Sequence, residues 1–225
     1  MAVLGAGTSL VNSIDWVDAT LDASAPGNNA CETGGGVVRG SQGHTTTLHY
    51  HGCTATLGGQ SVTLRGEAHT NCVDHSGACV YALTGLGIRV SDLDIELTGD
   101  ARRIDSDSAR SLDGSALSVT TNGSSAQLNG YTLHHDAAGL DALEGHFHHS
   151  GIAYTLDSST ALSLPTTGCL QSGEVRLTDP TTGTVTITPY PGGNLSVASP
   201  TGSSTLNCSE VTPWPPRAAA TPGLR

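Results

Sequence analysis

The chain has no lysine. Its nine basic residues are all arginines, set against twenty acids, and the formal charge is −11 over 225 residues. Missing lysine reads first as the composition of a GC-rich genome. The acidic balance, without any basic cluster, argues against nucleic acid and anionic membranes as partners. Aromatic residues are scarce at 4%, and only 36% of the chain is apolar, so a bulky interior is not expected. No run approaches the roughly 18–20 apolar residues that a membrane-spanning helix needs. Val3–Val17 lacks a basic flank and is interrupted by Asp15, so it is not read as a secretory leader. CxxC pairs and CxxCH are absent, which excludes zinc-finger spacing and covalent haem attachment. A G-x-S-x-G elbow, a P-loop, a dinucleotide fingerprint and H-E-x-x-H are absent too, so no catalytic residue is assigned.

What the chain does have is alternation. Ser61–Arg65, Asp92–Thr98, Ala116–Thr120, Ile152–Leu156, Glu174–Thr178, Thr184–Thr188 and Asn194–Ala198 all alternate apolar with polar residues, between turns of Gly, Asn, Asp and Ser. A two-residue period is the mark of a half-buried strand. The expected fold is mostly β: an antiparallel meander or sandwich-like sheet with one N-terminal amphipathic helix. That helix is predicted over Thr8–Ala23, where Leu10, Ile14, Val17 and Leu21 recur at helical spacing and Pro26-Gly27 ends the pattern. It is expected to lie across one face of the sheet or to close one end.

The predicted organisation is a helix and linker (1–30), a first β-block (31–99), a connecting loop (100–112), a second β-block (113–211) and a Pro-rich tail (212–225). The loop is expected because Asp100–Leu112 is polar and lacks periodicity. The six cysteines are an even number, which reads as three disulfides formed in an oxidising compartment. Fifteen connectivities are possible; nearest neighbours give Cys31–Cys53, Cys72–Cys79 and Cys169–Cys208.

An N-terminal helix is followed by Cys31, Gly34, Gly35, Cys53 and Gly66, and later by Gly145, Tyr154, Cys169 and Gly173. This layout, over Ser9–Thr70 and Leu143–Val197, loosely resembles uncharacterised secreted or lipid-anchored β-rich proteins of Gram-negative bacteria. The resemblance implies export and a β-meander. It brings no activity and no catalytic residues.

Ten histidines are many for such a chain. In Thr45–His51, alternation puts Leu48 and Tyr50 on one face and Thr47, His49 and His51 on the other. In Leu143–His148 it turns Leu143 and Phe147 inward and leaves Glu144, His146 and His148 outside. A hairpin with Tyr131–His135 would bring Thr132 and His134 near Glu144 and His146. Imidazoles with a carboxylate suit Zn or Cu, so His134, Glu144, His146, His148, His49 and His51 are the candidate metal ligands. Asp92, Asp94 and Glu96 form an acidic stripe, expected to face solvent or to oppose arginines such as Arg102 and Arg103. Tyr50, Tyr131, Tyr154 and Tyr190 are the aromatic candidates for a sugar platform.

The functional expectation is an exported, non-enzymatic surface or extracellular-matrix structural protein, assembling with itself by strand pairing as a fibre-type subunit. The alternative is a His-rich metal-binding (Zn or Cu) module of the periplasm or cell surface.

Overall fold

The computed structural model describes residues 2–23, 31, 35–57, 60–72, 78–105, 110–135, 140–163 and 169–207. Among the described residues one helix, α1 (Ala2–Ala23), precedes thirteen strands: β1 (Val37–Gln42), β2 (Thr45–Leu57), β3 (Gln60–Cys72), β4 (Ala78–Val90), β5 (Leu93–Asp105), β6 (Arg110–Thr121), β7 (Ser124–His135), β8 (Leu140–His149), β9 (Ile152–Ser163), β10 (Ser172–Asp179), β11 (Gly183–Tyr190), β12 (Asn194–Ser199) and β13 (Gly202–Asn207). They form a single antiparallel sheet in chain order. It is a pure meander and it does not close.

Tight turns set that order. Asn122-Gly123 and Ser150-Gly151 each join strands through two residues with positive φ (46° and 83°, 52° and 80°). This backbone matches the twist of the strands it connects. The alternation then sorts side chains as expected. Leu48 and Tyr50 of β2 are buried, His51 is exposed, and Thr47 and His49 are half-buried. Leu143 and Phe147 of β8 are buried, and Glu144, His146 and His148 are exposed.

The sheet also bends along a line. Gly66 on β3 has φ +86°, and a Cβ there would lie 2.0 Å from the carbonyl oxygen of Gly85 on β4. Gly99 on β5 repeats the arrangement against Ala116 of β6. Register shifts fall at the same level in the β2/β3, β3/β4, β4/β5, β5/β6 and β7/β8 ladders. Bulges and glycines at one level bend strand after strand the same way, so the sheet rolls up.

Helix α1 fills the roll. Val3, Leu4, Leu10, Val11, Ile14, Trp16 and Val17 are buried, and so are the polar Ser9, Asn12, Ser13 and Thr20. These positions circle the whole helix, so the amphipathic reading is corrected: α1 is buried all round and starts six residues earlier than expected. Small residues and self-satisfied hydroxyls permit this burial. Ser13 Oγ donates to Ser9 O at 2.6 Å, and Thr20 Oγ1 to Trp16 O at 2.8 Å. Each large side chain removed from water here contributes roughly 2 kcal/mol.

The expected loop 100–112 is also corrected. Its described residues are the end of β5 and the start of β6, paired Arg102↔Asp113 through Asp105↔Arg110. No periodicity shows because the inward residues here are charged and find partners on the helix. Arg103 reaches Asp18 of α1, and its Nε lies 3.1 Å from Asp105. Arg110 Nη1 lies 3.3 Å from Asp15. Tyr81 Oη donates to Asp18 at 2.8 Å, and the Arg103 guanidinium sits 5.7 Å above the Tyr81 ring. Burial pushes the Arg103 guanidinium below its ordinary value and the Tyr81 hydroxyl above its own.

Disulfides Cys31–Cys53 and Cys72–Cys79 form as expected. Cys169 is disulfide-bonded as well; its expected partner, Cys208, lies outside the described residues, as does the Pro-rich tail.

Candidate functional site

Helix α1 is packed inside the roll, and the candidate histidines stand outside it. Two groups of histidines stand on the outer face. The first is on β2 and β3. Glu67 spans two imidazoles, with Oε2 2.8 Å from His49 Nδ1 and Oε1 bonded to His69 Nε2. The other ring nitrogen of His69 is 2.9 Å from Thr47 Oγ1. This arrangement satisfies the rings rather than pointing them at a common centre. His51, the remaining candidate here, stands opposite Arg65.

The second group is on β8. Thr132 pairs with Glu144, as the hairpin reading expects, but His134 pairs with Ala142. His146, four residues further along β8, pairs with Asn129 and His148 with Gln127. An extra residue in β7 at Gly130 (φ 50°) lies between the two sets. His134 is therefore about 13 Å along the sheet from His146. The expected set of His134, Glu144, His146 and His148 does not converge. Among the described residues no group of three or more His, Cys, Asp or Glu is placed to hold a metal ion.

His146 and His148 instead line a cleft. β9 pairs with β10 only as far as Thr155↔Thr178. At Asp179 the chain turns away into Pro180. Asp179 accepts bonds from Thr181 N (2.9 Å), Thr181 Oγ1 (2.8 Å) and Thr182 Oγ1 (2.6 Å), and these hold its carboxyl below the usual range. Beyond that turn, Ile152–Tyr154 has β8 on one side and no strand on the other. The resulting cavity, about 480 Å³, is lined by His146, His148, Ile152, Tyr154, Thr155 and Asp179, with the β10–β11 turn as its far wall. Of the four tyrosine candidates for a sugar platform, Tyr50 and Tyr131 are buried, Tyr154 lines this cleft and Tyr190 is exposed.

The acidic stripe has different partners from those expected. Asp94 binds Arg65 at 2.8 Å and Arg89 at 2.7 Å, and Glu96 binds Arg65. Arg102 goes to Asp113, and Arg103 turns inward. Burial raises the Asp94 carboxyl, but the bonds from Arg89 and Arg65 outweigh it and leave it below its ordinary value. The stripe is thus a set of cross-strand ion pairs on the roll.

No protein-family model, no curated protein and no solved structure matches this chain. Its disulfides belong to an oxidising environment, extracellular or periplasmic. No described helix is long and apolar enough to cross a membrane.

Proposed function

We propose that the protein is an exported, non-enzymatic structural protein of the cell surface or extracellular matrix, and that copies of it join through the open edges of the sheet. The carrying observation is that β1 and β13 each pair on one side only among the described residues. An unpaired strand edge is a template for another strand. Of the two edges, β13 is the more receptive. Gly-Ser-Ser-Thr-Leu-Asn has no charge and no proline, and its register with β12 runs unbroken from Ser199↔Gly202 to Asn194↔Asn207. β1 carries Arg39 and ends beside His44. The two edges lie on opposite ends of the strand order, so pairing β13 of one copy with β1 of the next repeats without closure and yields a fibre.

The β12–β13 turn has two residues, so Ser199 and Gly202 are its closing hydrogen-bonded pair. Alternation then leaves the backbone groups of Ser203 and Thr205 pointing outward. Thr205→Pro removes one outward N–H and spares the ladder to β12. By mass photometry the wild type is expected to grow in mass with concentration, and Thr205→Pro to remain a monomer with unchanged melting temperature. A wild type that stays monomeric throughout rejects the proposal.

A further inference from the structure

The cleft beside β9 has a chemistry that edge pairing does not use. We propose that His146 and His148 form a two-imidazole chelate for a divalent d-block cation, with Cu²⁺ the preferred ion, at the rim of that cleft. The two residues are two apart on β8, share its outer face and are exposed. Residues so spaced lie about 7 Å apart, and a modest tilt of two rings brings one nitrogen of each onto a single ion. Neither ring has a hydrogen-bond or ion-pair partner among the described residues, so binding a cation displaces nothing.

No other described histidine offers this. His49 and His69 are held by Glu67, and His69 also by Thr47. His51 faces Arg65, whose charge repels a cation. His149 bonds the carbonyl of Ser125, His135 is buried on the opposite face of β7 from the exposed His134, and His44 sits in the turn between β1 and β2. Around His146 and His148 the cross-strand neighbours are neutral. Asn129 and Gln127 lie on β7, and Thr155 and Ala153 on β9. The small Ala153 opposite His148 leaves room for the ring to swing. Glu144, next on the same face, adds negative charge that favours a cation. The remaining coordination positions go to water, because no third side chain converges.

Imidazole nitrogen prefers the later first-row metals, in the order Zn²⁺ and Ni²⁺ below Cu²⁺, over oxygen-seeking Mg²⁺ and Ca²⁺. It binds only when neutral, so mild acid releases the ion.

Titration calorimetry of the full chain with Cu²⁺, Ni²⁺, Zn²⁺ and Mg²⁺ tests this, with electron paramagnetic resonance of the Cu²⁺ form. One Cu²⁺ per chain is expected, with two-nitrogen coupling, weaker Ni²⁺ and Zn²⁺, and no Mg²⁺. His146→Gln or His148→Gln should each weaken Cu²⁺ at least tenfold, while His134→Gln and His49→Gln leave it unchanged. Circular dichroism confirms that each variant folds. Cu²⁺ binding that survives both cleft substitutions, falls equally in all four variants, or shows no nitrogen coupling overturns the proposal.

Discussion

Gly66 shows how much one position decides. Its φ is +86° and its α-carbon faces the Gly85 carbonyl, so a methyl group meets backbone rather than a movable side chain. Gly66→Ala is expected to cost about 3 kcal/mol and to lower the melting temperature by roughly 6–12 °C. Gly36 has open space around it, and Gly36→Ala should change stability by less than about 0.5 kcal/mol. Differential scanning calorimetry of the pair separates the two cases. The bending line was visible in the sequence as glycines at 52, 66, 85, 99, 114, 130 and 145, about one strand and turn apart. In a chain this rich in glycine, a single glycine carries little information until its register is known.

At the level of elements, α1 and the β5–β6 pair explain each other. The helical stripe of Leu10, Ile14, Val17 and Leu21 was legible. That Ser13 and Thr20 are equally buried was not, since a hydroxyl that bonds its own helix looks polar in a sequence and behaves as nonpolar in a core. The same holds for Arg103, whose irregular neighbourhood suggested a loop. Its side chain is 15% exposed and bonds Asp18. Asp18→Asn removes that charge and is expected to destabilise by on the order of 3 kcal/mol, because a buried guanidinium loses a partner. Arg102→Gln breaks the exposed pair with Asp113 and should cost under about 1 kcal/mol. Chemical denaturation of the two variants measures both, and equal losses would mean that the helix is not held by this lock.

For the whole molecule, the roll turns an acidic chain into one in which several carboxylates, Glu67, Asp94, Asp100 and Asp113 among them, are bonded across strands. Asp100 accepts from Ser115 N at 2.8 Å, Ser115 Oγ at 2.6 Å and Ala116 N at 3.1 Å. Burial raises its carboxyl, but these bonds prevail and set it below its ordinary value, as with Asp94. A carboxyl depressed by folding stabilises above its unfolded pKa, about 3.9, and loses that contribution as pH falls through the folded value. Wild type should therefore exceed Asp100→Asn in stability by a constant margin above about pH 5, and the margin should shrink progressively as pH falls below about 4. Thermal melts from pH 7 to 3 test this; a margin that does not shrink at all between pH 5 and pH 3 would assign the effect to shape rather than charge.

Alternation and turn residues determined by themselves that the chain is mostly antiparallel β, with Leu48, Tyr50, Leu143 and Phe147 inside and the candidate histidines outside, since side-chain direction along a strand is a local property. Only the tertiary structure decided that the helix is sheathed on all sides, that Arg103 points inward, that the antiparallel register of β7 and β8 sets His134 opposite Ala142 and four residues from His146, and that β13 is the last described strand of the sheet. Those outcomes depend on register and bending summed over many strands, and a single extra residue in one ladder shifts every neighbour beyond it.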